Sequence, residues 1–346
     1  MADIDALSDK LGIPWETKKD IPFCTVAPFI GFSWDLANRT VSLPESKKAK
    51  YLQAILEWES KPKHTLDDAQ KLYGKLLHAC HILPAGRAYL TNLEAFMGVC
   101  HRDSPFRPRS PPRRTPIDLL WWKERLAQPI VIRNIPGPFP IVDANAYSDA
   151  SSEVGIGITI GNRWRAWRLL PGWKANSRDI GWAEAIGFWF LVLTLTPTTP
   201  RGTHTKIFGD NRGVVEGWWK GRSRNKPTND IFKHIHALSE AQGVLYHTRY
   251  VPSKENPADG PSRGEHYHSS LLLPAITIPV SLRQYVCDFD APCSPAESLL
   301  IQQGEAPIPL PRADRLSLQQ ERTAINTALE EHARTIFAQT QYWLDG

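Results

Sequence analysis

Short apolar runs separated by turn residues occupy the middle of the chain and predict a compact series of elements. Three strands are predicted first, at 143–150, 154–160 and 164–170, with a tight turn at Gly161-Asn162. The apolar stretch 179–195 has the length of a helix rather than of a strand. A strand, two helices, a strand and a short helix should follow, at 205–209, 211–220, 228–242, 244–251 and 254–263.

This order of elements, β-β-β-α-β-α-α-β-α, predicts a mixed five-stranded sheet with helices on both sides. The predicted fold class is therefore α/β, and the corresponding domain covers residues 141–264.

A smaller α+β unit is predicted for residues 1–100. A hairpin is expected from FIGF at 29–32 and TVSL at 40–43, with its turn near 37–39. Pro44 should open one helix. Thr65 should cap the next, with Asp68 completing an acidic form of the capping box.

Two further segments differ in composition from these domains. Residues 101–116 contain five prolines and five arginines, which favours a cationic tether and leaves open a contact with phosphate groups. A short amphipathic helix at 117–126 completes a predicted connection over 101–140. The tail, 265–346, should be extended at first and then form an amphipathic helix opened by a capping box at Ser317 and Gln320.

The composition and net charge of the chain exclude only a few classes of function. A formal charge of +5 favours anionic partners without establishing nucleic-acid binding. The five cysteines form no CxxC pair, so a zinc site is not expected, and an intracellular protein, cytoplasmic or nuclear, is the better expectation. The longest apolar run has ten residues, too few to span a membrane.

Four acids stand at the ends of predicted elements or inside an apolar helix, where an isolated carboxylate is costly. They are Asp149, Glu184, Asp210 and Asp259. A metal site shared by the four would explain their positions. Other roles stay open: Asp143 is a rival to Asp149, Asp210 and Asp259 can cap helices, and Asp179 fits a helix N-terminus.

The motifs around these acids, SDAS, WAEA, GDNRGVVE and NPADGPSRG, occur with spacings of 35, 26 and 49 residues. In this order they resemble type 1 ribonuclease H and the ribonuclease H domain of retroelement reverse transcriptases. Upstream, residues 11–52 resemble the end of a reverse-transcriptase palm with its primer-grip hairpin, and 66–93 resemble the thumb. The sequence DLLWWKERL is similar to the connection in DIRS-type retrotransposons, especially fungal ones.

The resemblance implies a nuclease that hydrolyses the RNA strand of an RNA–DNA hybrid with two Mg²⁺ ions, or Mn²⁺ in their place. It implies that Asp149 bridges the metals, that Glu184 and Asp210 hold the one near the leaving group, and that Asp259 holds the other. No YxDD-like aspartate pair occurs, so polymerisation is not expected; another chain can supply the polymerase portion. The loop before Asp259, PSKEN, lacks the histidine found in many ribonucleases H.

Substrate contacts can also be proposed from the sequence. Candidates for hydrogen bonds to phosphate or to a 2′-hydroxyl, and for a basic loop facing phosphates, are Ser151, Asn211, Lys220, Arg222, Arg224 and Lys226. Trp218 and Trp219 fit either base stacking or the core. The alternative to a nuclease is a non-catalytic nucleic-acid-binding or scaffold remnant of a retroelement.

Overall fold

The computed structural model describes residues 2–13, 21, 23–135 and 140–293. These residues form one four-stranded and one six-stranded sheet, and each sheet has its own hydrophobic core. We call residues 23–135 the first unit and residues 140–293 the second unit. The predicted C-terminal helix beginning near Ser317 lies outside the described residues.

An antiparallel sheet in the order β1-β2-β3-β4 and several helices make up the chain before residue 136. The elements are α1 (Ala2–Leu11), β1 (Val26–Phe29), β2 (Phe32–Asp35), β3 (Thr40–Ser42), α2 (Glu45–Glu59), α3 (Leu66–Ala79), a 3₁₀ helix (Pro84–Tyr89), α4 (Thr91–Asp103), α5 (Thr115–Leu126) and β4 (Ile132–Asn134).

The local signals in this part of the sequence are mostly confirmed. Pro44 caps α2, and Thr65 and Asp68 form the predicted capping box of α3. The hairpin β2–β3 also forms as expected. The expectation that 29–32 is a continuous strand is wrong, because Ile30 and Gly31 make a turn between β1 and β2. Both have positive φ, at 51° and 79°, as hairpin turns of type I′ require.

The proline- and arginine-rich segment expected to be a tether packs against the first unit. His64 and Arg109 exchange backbone hydrogen bonds of 2.8 and 2.9 Å. From the following helix α5, Leu119 and Trp122 are buried in the core of the first unit, and β4 then pairs with β3. Proline prevents a helix here, but it leaves the carbonyl groups and the intervening Arg109 amide able to pair.

The second unit is a mixed α/β structure with a sheet in the order β10-β7-β6-β5-β8-β9. The pairs β5–β8 and β8–β9 are parallel, and the others are antiparallel. The elements are β5 (Ile141–Ala150), β6 (Gly155–Ile160), β7 (Arg163–Leu169), α6 (Ile180–Leu195), β8 (His204–Gly209), α7 (Arg212–Trp219), α8 (Lys226–Gln242), β9 (Leu245–Tyr250), α9 (Asp259–Ser262) and β10 (Val286–Asp288).

The sheet has one strand more than the five predicted. Strand β10 comes from the stretch after residue 264, which was expected only to lie extended on a folded surface. It pairs antiparallel with β7, and Arg165 of β7 forms an ion pair of 2.8 Å with Asp288. The added strand covers a sheet edge that would otherwise expose unpaired backbone groups.

Helices cover both faces of this sheet. Helix α6 approaches β5 at Ser148, where a Cβ on Gly187 would lie 3.0 Å from the Ser148 Cβ. Helix α9 lies against Gly157, which pairs with Asp149 across β5 and β6. Because Ser148 and Asp149 are successive strand residues, their side chains point to opposite faces, and so α6 and α9 lie on opposite faces.

The two units meet along α8. Asn229 donates to the carbonyl of Ala88 at 2.8 Å, and Lys233 forms an ion pair of 2.8 Å with the buried Asp118. These contacts attach α8 to the 3₁₀ helix and to α5 of the first unit. Across the described residues, no helix is both long enough and apolar enough to pass through a membrane.

Candidate metal centre

Two parallel strands place Asp149 and Asp210 side by side. Ser148 of β5 pairs with Gly209, the last residue of β8. Asp149 and Asp210 each follow one member of this pair, so both acids lie at the carboxyl ends of adjacent parallel strands. This edge of a sheet is where the ligands of α/β proteins usually bind.

Helix α6 delivers a third acid, Glu184, to the same edge. Its side chain lies one turn before Gly187, the point where the helix approaches β5 most closely. The backbone amide of Ala150 donates a hydrogen bond to the Glu184 carboxylate. Because Gly187 has no side chain, α6 can lie close to β5. This close packing brings Glu184, an acid in an apolar helix, to the ends of the strands.

Ligand oxygens of Asp149, Glu184 and Asp210 all lie within 4.8 Å of one another. Asp149 is 4% exposed and Glu184 is 6% exposed, while Asp210 is half-buried. Among the described residues, no lysine, arginine or histidine forms an ion pair with any of the three. Three carboxylates therefore meet without an ion pair to any of them, and the nearby Arg263, which feels the charges of Asp149 and Asp210, pairs with Asp259 instead.

The protonation of these acids reflects that imbalance. The pKa of Asp149 is raised to about 6, chiefly by burial and also by the negative charge of the neighbouring Asp210, against the opposing effect of a hydrogen bond from Ser262. Burial also raises the pKa of Glu184 well above its usual range, and the negative charges of Asp149 and Asp210 act in the same direction. Without a cation, the group holds protons that a bound metal ion would displace.

The donor set fits a hard divalent cation. Carboxylate oxygens are the ligands that Mg²⁺, Mn²⁺ and Ca²⁺ prefer, and Mg²⁺ retains several waters, so a few carboxylates suffice. Neither sulfur nor imidazole belongs to the group. The buried triad can therefore hold a metal ion.

Two serines contact the acids, and neither was predicted from the sequence. The fully buried Ser262 in α9 donates its hydroxyl to Oδ2 of Asp149. Ser253 donates to Oδ2 of Asp210 at 2.5 Å. Ser253 belongs to the PSKEN loop that precedes Asp259, and Ser262 follows Asp259 by three residues. The only sequence signal was that Ser262 lies within the NPADGPSRG motif and Ser253 lies three residues before it.

Asp259 does not belong to the group of three. Its Oδ1 accepts a hydrogen bond of 2.9 Å from Nε of Arg263, four residues later. The charge of Asp259 still raises the pKa of Asp149, so the carboxylate lies near the group although it is turned towards arginine. A helix of four residues is positioned by tertiary packing, and sequence spacing could not show which way its first carboxylate points.

Ser151 and Asn211 both have local hydrogen bonds at the strand ends. The Ser151 hydroxyl accepts a bond of 3.4 Å from the Glu153 amide in the turn after β5. The side-chain oxygen of Asn211 caps α7 by accepting from the Val214 amide at 3.2 Å. Both residues lie next to the acids of the candidate site, and each also makes a hydrogen bond that stabilises the local turn or helix.

The four residues of the predicted basic loop differ in whether they form ion pairs. Lys220 pairs with Glu216 at 3.2 Å on the surface, and Arg222 pairs with Glu94 of the first unit at 2.7 Å. Arg224 and Lys226 are exposed and form no ion pair within the part of the chain that the structure describes. Arg222 is therefore a contact between the units, and only Arg224 and Lys226 remain open to an anion.

Trp218 and Trp219 protect an edge strand. Their indole groups donate to the carbonyls of Tyr246 and Thr248 at 2.8 and 3.0 Å, which are alternate carbonyls along the edge strand β9. Trp218 is partly buried against the core, and Trp219 remains 55% exposed. The pair thus satisfies backbone groups of an edge.

The fold and the site define an α/β protein with a buried carboxylate triad at the ends of parallel strands. No model of a known protein family matches the chain, and no curated protein matches its sequence. Any narrower assignment depends on the geometry of the site.

Proposed function

We propose that the protein is a metal-dependent endonuclease that hydrolyses the RNA strand of RNA–DNA hybrids. The observation that carries this proposal is the triad Asp149, Glu184 and Asp210, whose oxygens lie within 4.8 Å of one another and form no ion pair with a described residue. The sheet is mixed, with three antiparallel and two parallel pairs of strands, and the helix that carries Glu184 packs on its first strand, β5. Both features support a ribonuclease H-like fold.

The triad would hold Mg²⁺, or Mn²⁺, and two ions are proposed. When bound, paired ions activate the attacking water and stabilise negative charge on the leaving 3′-oxygen. As the resemblance implies, Asp149 would serve both ions. Asp259 would contribute after its pair with Arg263 opens, since its carboxylate is now engaged there. Ser262 and Ser253 hold one oxygen each of Asp149 and Asp210 and so fix the planes of two ligands.

Selection of a hybrid would depend on contacts with 2′-hydroxyl groups and on groove shape rather than on base identity. Ser151 and Asn211 adjoin the acids and carry the polar groups for such contacts. The upstream palm-like and thumb-like sequences favour an origin in a retroelement polyprotein.

A labelled RNA–DNA hybrid incubated with Mg²⁺ tests the proposal. The wild-type protein should cut the RNA strand, and Asp210→Asn should lose at least about 100-fold in rate, because a ligand to the metal is removed. Asp143→Asn is the matched control, since this exposed acid of β5 pairs with Lys206 instead. A wild-type protein that leaves the hybrid intact, or equal cleavage by the Asp210→Asn protein, contradicts the proposal.

One observation favours a second candidate, a non-catalytic nucleic-acid-binding remnant. Asp259 is paired with Arg263 and stands outside the triad, as expected if a fourth ligand had lost its role. Binding of the hybrid without cleavage in either Mg²⁺ or Mn²⁺ would favour this candidate.

A further inference from the structure

Two basic segments that are far apart in the sequence meet at the junction of the units. Arg114, which precedes α5, forms an ion pair of 2.8 Å with Asp230 of α8. Lys226 lies four residues before Asp230 on the same helix, and residues so spaced share one face. Arg114 therefore contacts α8 about one helical turn from Lys226, and Arg113 is its neighbour in the chain.

The charges at this junction are not balanced. Arg113, Arg224 and Lys226 are exposed and form no ion pair with any residue that the structure describes, whereas Arg114 has Asp230. These four cations outnumber the nearby carboxylates, Asp230 and Asp179, and leave a local excess of two positive charges. The Arg222–Glu94 and Lys233–Asp118 pairs fix the two units against each other, so this excess does not depend on a flexible linker.

The junction also adjoins the helix that carries Glu184. Asn225, between Arg224 and Lys226, donates from Nδ2 to the carbonyl of Ser177 at 2.8 Å and to Oδ2 of Asp179 at 3.1 Å. Asp179 caps α6, and Glu184 follows it by five residues, about 8 Å along the helix axis. Cations of both units therefore lie close to the start of α6. A nucleic-acid duplex with one strand in the carboxylate triad would be within their reach.

We infer that Arg113, Arg224 and Lys226 form one cationic surface across the two units that binds the sugar-phosphate backbone of a nucleic-acid duplex. Exposed cations with no ion pair among the described residues suit the phosphate groups of a nucleic-acid backbone. The inference deepens the proposed function, on which it rests for the identity of the duplex as an RNA–DNA hybrid. It assigns a substrate-binding role to Arg113, and so to the first unit.

Binding can be measured apart from catalysis. A fluorescein-labelled RNA–DNA hybrid is titrated with the full chain in Ca²⁺, at salt concentrations from about 50 to 200 mM. The triple variant Arg113→Gln, Arg224→Gln, Lys226→Gln should bind roughly tenfold more weakly. The slope of log affinity against log salt should fall by about 2 to 3, near 0.9 for each phosphate group that is no longer neutralised. The single Arg113→Gln variant should lower the slope by about 1.

A control triple variant, Lys10→Gln, Arg39→Gln, Lys50→Gln, removes the same net charge from exposed positions in the first fifty residues. It should keep the wild-type slope. Thermal unfolding should be unchanged in both triple variants, because none of the six side chains is buried. Weaker binding of single-stranded RNA of equal length would confirm that the surface fits a duplex.

The outcomes separate this inference from the proposed function. Equal slopes for the two triple variants, or an Arg113→Gln protein that binds like the wild type, overturn the inference even if the wild type cleaves the hybrid. Equal affinity for single strands overturns the assignment to a duplex. A protein that binds the hybrid with the predicted slope but never cleaves it supports the surface and contradicts the nuclease.

Discussion

Two sites with buried acids differ in whether the carboxylates are paired with a cation of the protein. At the junction of the units, Asp118 accepts from Asn92 at 2.6 Å on one oxygen and pairs with Lys233 at 2.8 Å on the other. At the ends of β5 and β8, Asp149 and Glu184 are similarly buried, yet neither forms an ion pair with a cation of the described residues, and the nearby Arg263 pairs with Asp259. The first site is complete within the protein, and the second is not.

This difference separates a structural acid from a functional one. Burying a charge is costly unless a partner balances it, and Asp118 meets this condition with protein groups alone. The triad meets it only by holding protons or by binding a cation. Burial is shared by both sites, so burial by itself does not identify a functional acid, whereas the missing counter-charge does.

The largest expected effect comes from breaking the complete site. Asp118→Ala should lower the free energy of unfolding by about 3–5 kcal/mol, because it leaves the half-buried Lys233 ammonium without its partner. Urea unfolding followed by tryptophan fluorescence measures the change. Glu216→Ala is the control, since its pair with Lys220 is exposed and should contribute less than about 1 kcal/mol. Equal losses in the two variants would contradict the distinction.

A change of opposite sign is expected at the incomplete site. Asp149→Asn should raise the free energy of unfolding of the metal-free protein by about 2–3 kcal/mol at pH 8, because the buried negative charge is removed. The folded pKa of Asp149, about 6, lies above its ordinary value of 3.8, so folding is favoured by protonation. The wild-type protein should therefore lose this stability as the pH rises through about 6, and the advantage of Asp149→Asn should vanish below about pH 4.

Asp143→Asn provides the matched control for this pH dependence. Burial raises the pKa of Asp143, but hydrogen bonds from the Asn145 amide and Lys206 outweigh that effect, and the pKa is lowered overall. Its ionised form is favoured by folding, so Asp143→Asn should slightly destabilise the protein at pH 8. Saturating Mg²⁺ should reverse the order of wild type and Asp149→Asn in thermal unfolding. If both substitutions changed the free energy of unfolding at pH 8 in the same direction, burial of the Asp149 charge would have no electrostatic cost.

The sequence predicted these features to different extents. Local signals were sufficient for the capping box at Thr65, the strand that ends at Asp149 and the helix that carries Glu184, because each depends on neighbours in the chain. The partners of Asp118 could not be predicted, since Lys233 lies 115 residues away. Strand β10 was missed for the same reason, as its three residues are a strand only beside β7.

Within the candidate site, prediction succeeded for acids on long elements and failed for groups on short ones. Parallel pairing of β5 with β8 fixes Asp149 and Asp210 together, and it follows from the order of elements. The orientation of Asp259 and the contact of Ser262 depend on how the four residues of α9 lie against Gly157. A Cβ at Gly157 would lie 2.5 Å from the Ser262 amide, so the missing side chain permits a contact that no periodicity reveals.

The smallest expected effect concerns this serine and sharpens the comparison further. Ser262→Ala removes the hydroxyl donor to Asp149 and should weaken Mn²⁺ binding roughly tenfold, as is typical when a group that orients a metal ligand is lost. Mn²⁺ electron paramagnetic resonance measures this without reference to cleavage. Ser262→Thr keeps the hydroxyl and should retain more affinity, and the exposed Ser269→Ala should behave as wild type. Unchanged Mn²⁺ affinity in Ser262→Ala would mean that the carboxylates alone set the geometry of the triad. In that case the contrast with Asp118, whose two oxygens are both positioned by protein donors, would extend to the orientation of the acids as well as to their charge.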